Sequence, residues 1–309
     1  MKSSDNLAAL IYLKSKVHKW KNIALLLGVF SFLLALRFIF GGGLSGDGVA
    51  EGKNYIANVK IEGVIFEDDF RSKILDQIAK EESVKAVIVN INSPGGGIVG
   101  SEILFNDLRA IAAVKPMVVV MGSVAASGGY MAAIAADYII AHNGTLTGSI
   151  GVLMEAPNAT VLANKVGLKF HTYKSSSLKG SPSPFENSTP AVDRVVQGSI
   201  DDSYKFFVDL VSSRRGDKIN KKLSIIAFDG RVFTGRQAFE VGLIDKVGSK
   251  IDALLYLKQN NIDVDNMSLK DIKVVKREEK IMDRVFGMIP FLNSVKSMSQ
   301  GGELMTIMK

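Results

Sequence analysis

Met121-Gly122-Ser123-Val124-Ala125-Ala126-Ser127-Gly128-Gly129-Tyr130 is the stretch on which the fold turns. It follows the apolar run Met117 to Val120, which reads as a buried strand, and it opens an alanine-rich segment, Met131 to Ala136, which reads as a helix. Ser127 therefore falls at a strand-to-helix turn. There a hydroxyl can face outward, and the unpaired amides of the first helical turn can meet developing negative charge. That position suits a nucleophile. It equally suits an N-cap, whose hydroxyl does no more than satisfy the helix's own amides. On this stretch alone both readings stay open.

Outward from this turn, strand and helix patterns alternate. Upstream are a strand near Tyr55 to Ile61, a helix near Phe70 to Lys80, a strand from Val84 to Asn92, and a glycine-rich turn opening a helix from Ile98 to Ala113. Lys115-Pro116 ends that helix and returns the chain to Met117, which makes a βαβ unit. Downstream, a strand near Tyr138 to Ala141 leads to the turn Thr147 to Val152, a helix near Thr160 to Val166 and a strand near Lys169 to Lys174. A serine- and proline-rich loop, Ser175 to Thr189, precedes a long helix to about Arg215. Thr189-Pro190 supplies its cap and first turn, and Val192, Val195, Val196, Ile200, Phe207 and Val211 run along one side. Helical stretches near Ile219 to Phe228, Gly235 to Val241 and Ser249 to Asn260 follow. The pattern predicts one α/β domain over residues 53–260, with 261–309 as a C-terminal extension whose piece Met282 to Phe291 can dock on the domain, a partner or a membrane surface.

The 309 residues are 47% hydrophobic, ample for a full core. The absence of cysteine excludes a thiol nucleophile, thiolate metal sites and disulfides, and three histidines leave little for a metal centre, so neither metal nor cofactor is expected. The net charge of +7 is concentrated at the ends, with +4 in residues 1–22 and +2 in 276–309. The middle has no basic face on which to hold nucleic acid. Ile23 to Phe40 is apolar except for Ser31 and Arg37, and its 18 residues span roughly 27 Å as a helix, close to the thickness of a bilayer core. This predicts a cytoplasmic tail at 1–22, a transmembrane helix at 23–40 and a glycine-rich tether at 41–52. The lysines before Ile23 would leave the domain on the outer face of the cytoplasmic membrane. A cleaved signal peptide is the alternative, although no A-x-A site follows.

Gly95-Gly96-Gly97-Ile98-Val99-Gly100 matches the dinucleotide fingerprint G-x-G-x-x-G after a strand. About 20 residues on, however, where an acid should grip the ribose, stands Met117-Val118-Val119-Val120. The same glycines can instead expose an amide which, with that of Gly128, would make two donors to an oxyanion; a plain tight turn is the bland reading. A serine nucleophile also needs a base. His142 and His171 are the only histidines beyond the apolar run, and neither has a telling neighbourhood. A lysine can serve if burial lowers its pKa from about 10.4 to about 7–8. Lys179 has no acidic neighbour before Glu186, and an ordinary loop lysine is its other reading.

Four ordered motifs sharpen these readings: Asn92-Ser93-Pro94-Gly95-Gly96; Gly122-Ser123 with Ala125 to Tyr130; Leu146 to Val152; and Asp229 to Val232 with Thr234 to Ala238. Together they resemble the short, single-unit form of bacterial signal peptide peptidase A, peptidase family S49, from about Tyr55 to Asn260. The resemblance implies a crotonase-like or caseinolytic-protease-like fold, a repeated ββα spiral, carrying a membrane-anchored Ser-Lys endopeptidase that degrades cleaved signal peptides. It places the nucleophile on Ser127, the oxyanion amides on Gly96 and Gly128, the lysine base on Lys179 and a lysine-orienting serine on Ser149. It further implies a homo-oligomeric ring, an octamer, in which serine and lysine meet across chains. Ser176 and Gly180 depart from the glycine and aspartate common in the family's lysine loop, and Lys174 is the nearest rival base. Two other functions fit the same fold. An acyl-CoA hydratase or isomerase would use the glycine amides on a thioester enolate, and a non-catalytic membrane scaffold would be inert to acylating agents.

Overall fold

The computed structural model describes residues 54–274. The segments expected as tail, membrane helix and tether (1–22, 23–40 and 41–52) lie outside the described residues, as does 275–309. Among the described residues no helix is long and apolar enough to cross a membrane. The strands are β1 (Tyr55–Glu62), β2 (Val84–Ser93), β3 (Met117–Ala126), β4 (Tyr138–Ala141), β5 (Leu146–Gly148), β6 (Val232–Thr234), β7 (Lys246–Val247) and β8 (Ser268–Ile272). The helices are α1 (Asp69–Lys80), α2 (Ile98–Ala112), α3 (Gly128–Ala133), α4 (Thr160–Lys165), α5 (Pro190–Arg215), α6 (Ser224–Ala227), α7 (Gly235–Val241) and α8 (Lys250–Gln259).

The sheet runs β6-β5-β3-β2-β1-β8, with β4 on β3 and β7 on β4. Every pairing is parallel except β5 with β6. Parallel strands are covered on both faces, and alternation along them sorts the core into two layers. Ala57, Val59, Val87, Val89, Met117, Val119 and Met121 join the larger cluster. Ile56, Ala86, Ile88, Val118, Val120 and Ile140 pack with Ala253 and Leu257 of α8. Each fully buried aliphatic side chain contributes about 1.5–3 kcal/mol.

β3 serves two neighbours in succession: Val118 to Met121 pair with β4, and Val124 to Ala126 pair with β5. The ladder to β2 jumps from Ile91↔Met121 to Ser93↔Ala125, so Gly122 and Ser123 bulge out. Asn92 fills the gap, its Oδ1 accepting from Val124 N at 3.1 Å. Thr145 Oγ1 donates to the Gly122 carbonyl at 2.7 Å. A Cβ at Gly122 would stand 3.1 Å from the Asn92 side chain, so a small residue is favoured there. The strand thus leaves its first partner and carries Ser127 out to the end of β5.

Three expectations are corrected. Residues 169–174 form no strand, because none of the described strands pairs with them; Phe170 instead stacks on Phe185 with ring centroids 3.9 Å apart. The stretch 219–228 shortens to α6, since the Asn220 side chain accepts from Lys222 N and turns the backbone first. The sheet also extends past residue 260: β8 pairs with β1 from Tyr55↔Ser268 to Val59↔Ile272, so the domain boundary lies beyond the one read from composition. Helix α5 begins as expected, with Thr189 accepting from Val192 N and proline in its first turn. Val192, Phe207 and Val211 are buried along it, whereas Val195 is half exposed.

Candidate active site

β3 ends at Ala126, and Ser127 takes φ 52° and ψ −121° before α3 begins. A non-glycine residue at positive φ with such a ψ is strained, typically by about 1–3 kcal/mol. Its backbone is pinned on both sides: Ser127 N donates to the Gly148 carbonyl at 2.9 Å, and Met131 N donates to the Ser127 carbonyl at 2.9 Å. The side chain makes no capping hydrogen bond to α3. The capping explanation of this serine is therefore removed, and these backbone bonds hold the residue, against its strain, in a turn that needs no hydroxyl for its own stability.

The glycine loop after β2 packs directly on this turn. A Cβ at Gly95 (φ +104°) would come within 2.7 Å of Gly128 N and 2.9 Å of Ser127 Cβ. A Cβ at Gly96 would fall 1.9 Å from the Ile65 carbonyl oxygen, so there it is space that requires glycine. The segment at Ile65 straps the loop: Ile65 N donates to Gly95 O at 2.8 Å, and Gly97 N donates to Ile65 O at 3.0 Å. The amides of Gly96 and Gly128 are left without an acceptor among the described residues. Both glycines line one small cavity of about 20 Å³ with Ser127, Ile98, Ser101, Met131, Gly151, Val152, Ser203 and Phe207. The structure thus brings Ser127, Gly96 and Gly128 together, and the dinucleotide reading of the glycines has no role left to explain.

Behind the turn, α3 runs into Ile134, Ala135 and Ala136, whose carbonyls would otherwise be orphaned. Arg109 Nη1 donates to Ala135 O at 2.8 Å; Arg214 donates to Ile134 O at 2.9 Å and to Ala136 O at 3.1 Å. Burial holds the Arg214 pKa below its ordinary value, with Arg109 adding to the effect. Tyr130, wholly buried, donates to the Leu243 carbonyl at 2.8 Å, and desolvation raises its pKa well above the usual phenol value. These bonds fix the helix from the far end.

Ser149 follows Gly148 at φ 51°, with its amide donating to the Arg231 carbonyl at 2.8 Å. The motif around Asp229 to Ala238 acquires a physical role here. It forms β6 against β5, and Phe233 would lie 2.6 Å from a Cβ on Gly148. Thr234 and Gln237 close a capping box at the start of α7. Lys179 is exposed on a turn closed by its own N–H to Ser176 O at 3.2 Å, and it does not line the cavity within this chain. Lys174 bonds to Glu186, and hydrogen bonds from Lys174 and Thr172 hold that carboxyl below the usual carboxylate range. His142 and His171 are exposed and also lie outside the cavity lining.

Ser101 also borders the cavity, although it belongs to none of the four motifs. It lies on α2 one helical register from Leu104, Phe105 and Leu108, all buried, and is itself 1% exposed. A hydroxyl in the apolar stripe of a helix that follows the glycine loop was the available signal.

The family model for peptidase family S49 matches residues 109–265. A Methanocaldococcus jannaschii protein assigned as a protease is 39% identical over 186 residues, which are 60% of this chain and 59% of that one. A Synechocystis protein, likewise assigned as a protease, is 36% identical over 200 residues, covering 64% of this chain and 71% of that one. An Enterococcus faecium protein assigned as a signal peptide peptidase is 36% identical over 186 residues, 60% of this chain and 54% of that one. This chain therefore spans between about half and seven tenths of the length of these three relatives.

Proposed function

We propose a function from one premise: the chain belongs to peptidase family S49, among the serine-type peptidases of the signal peptide peptidase A kind. The reading is a membrane-anchored endopeptidase with a Ser127-Lys179 dyad. It rests above all on Ser127, strained, uninvolved in capping, and beside two amides that have no acceptor among the described residues. In the first step Ser127 Oγ attacks the peptide carbonyl carbon and passes its proton to the neutral amine of Lys179. The Gly96 and Gly128 amides hold the resulting oxyanion, a contribution of typically about 2.7–4 kcal/mol for each such donor. The C–N bond then breaks, and the lysinium protonates the leaving amine. Water repeats the sequence on the acyl-enzyme, giving its proton to Lys179 and its oxygen to the carbonyl, and Ser127 regains its proton.

A lysine base has to be desolvated, and within one chain Lys179 is exposed. A neighbouring copy that covers the lysine loop would supply the burial, which favours a closed homo-oligomeric ring with sites shared between chains; by resemblance it is an octamer. The apolar side chains left exposed on the same part of the chain support this reading, among them Leu153 at 79% and Tyr173 at 95%. The sheet that divides at β3 is compatible with a crotonase-like or caseinolytic-protease-like spiral. Residues 23–40 would anchor the domain on the outer face of the cytoplasmic membrane, where signal peptides left by processing are the substrates. Ser149, at the end of β5, would orient Lys179.

The test is mass spectrometry after treatment with a fluorophosphonate: Ser127 carries the adduct, and Ser127→Ala neither labels nor cleaves. Wild-type-like turnover by folded Ser127→Ala would sink the mechanism. Co-purified Ser127→Ala and Lys179→Ala subunits regain partial activity if the dyad crosses chains; a mixed oligomer that stays wholly inactive would refute the shared site.

A further inference from the structure

Ser101 Oγ is buried and has no hydrogen-bond partner, one of two such side-chain atoms among the described residues. Proteins nearly always pair a buried hydroxyl, and an alanine here would fit the register of Leu104, Phe105 and Leu108 without an unpaired polar atom. The hydroxyl borders the cavity that holds Ser127, Gly96 and Gly128. The Cβ position at Gly128 lies 2.0 Å from Ser101 Oγ and 3.3 Å from Gly96 N, so hydroxyl and amide stand at most 5.3 Å apart. Two donors that share one oxygen at about 2.9 Å each can be separated by up to about 5.8 Å. The cavity, about 20 Å³, has room for one such oxygen.

We propose that Ser101 is a third hydrogen-bond donor to the oxyanion, beside the amides of Gly96 and Gly128. The proposal rests on the Ser127 mechanism and deepens it. No bond forms or breaks at Ser101. Its O–H turns toward the oxygen as negative charge develops there, and in the resting enzyme the same oxygen position suits a water. The arrangement also accounts for glycine at 128: the hydroxyl occupies the place of a Cβ, so the oxyanion loop and the start of α2 come close enough to share a ligand.

The experiment uses the full-length protein with Ser101→Ala, a cleavable peptide, and a peptide boronate whose tetrahedral adduct on Ser127 mimics the charged intermediate. The expected result is a fall in kcat of roughly 10-fold or more with KM changed less than about 2-fold, somewhat below the usual loss for an oxyanion donor. Boronate affinity falls by the same factor as kcat/KM, while the affinity of a substrate peptide, measured in the Ser127→Ala background, is unchanged by adding Ser101→Ala. A merely structural Ser101 would weaken boronate and substrate peptide alike, and that outcome overturns the proposal. Unchanged kcat and boronate affinity in Ser101→Ala also overturn it, while leaving the Ser127 mechanism standing if the wild type still forms the adduct. A wild type that forms no adduct at Ser127 would remove that mechanism, and this proposal with it.

Discussion

Replacing Ser127 by glycine should give an inactive protein that is more stable than the wild type. At φ 52° and ψ −121° a side chain is strained by about 1–3 kcal/mol, and glycine is not. Glycine's extra freedom in the unfolded chain takes back about 0.4–1 kcal/mol. No capping bond is lost, since the serine makes none. The net gain is roughly 0–2.6 kcal/mol, centred near 1.3, which for a domain of 221 described residues raises the melting midpoint by about 3–5 °C. Ser127→Ala is the control: it lacks the hydroxyl but keeps a Cβ at the same φ, so it stays within about 1 °C of the wild type. Thermal unfolding of the three proteins by circular dichroism, under one buffer and concentration, decides the matter. If Ser127→Gly melts at or below Ser127→Ala, the backbone at 127 is not strained as described.

Three further outcomes follow from the geometry. Gly96→Ala should unfold more readily by about 1–3 kcal/mol and lose cleavage, because its Cβ would enter the Ile65 carbonyl at 1.9 Å; a stable, active Gly96→Ala in a denaturant titration would contradict this. Lys179→Ala should lose activity by 10³-fold or so while Lys174→Ala and His171→Ala keep most of it; an inactive His171→Ala beside an active Lys179→Ala would point to a histidine base instead. Asp271 accepts a hydrogen bond from Asn58 and lies beside Lys60, which together hold its carboxyl below the unfolded value of about 3.9. Its support for β8 is therefore complete above that value and disappears as the pH falls through the lower folded one, so the protection of β8 amides, taken relative to their intrinsic exchange rates, should fall below about pH 4 while that of β2 holds.

Much of this architecture was legible in the sequence, for physical reasons. Runs such as Val84 to Asn92 and Met117 to Val120 can be satisfied only by burial on both faces, and Lys115-Pro116 leaves the chain little choice but to turn. Gly96 and Gly128 were singled out as a pair by the resemblance, since the glycines alone fit a plain tight turn equally well. What escaped depends on partners. Ser268 to Ile272 is short, charged at Lys270 and Asp271, and becomes a strand only because β1 offers it an edge. Residues 169–174 have strand composition and no edge to join. Lys179 carries no local sign of what would bury it. Ser101 belongs to no motif, and its single mark, a small hydroxyl in an apolar stripe, is faint because it does not disturb the stripe.

The pairing of β1 with β8 fixes the order in which the sheet can be completed. β1 is the first described strand to be synthesised, yet Asn58 meets Asp271 only after 213 further positions have been added. β2 can dock on one side of β1 early, but the opposite side of this nearly buried strand waits, its amides and carbonyls open, until the end of the domain arrives. A nascent chain ending anywhere before Ser268 is thus a sheet with a sticky, apolar margin, and its last contact is among those with the longest loop to close. Quality control acting on this protein would find its most recognisable unfinished form there. The loose end it would sense is at the N-terminal strand, although the missing piece is C-terminal.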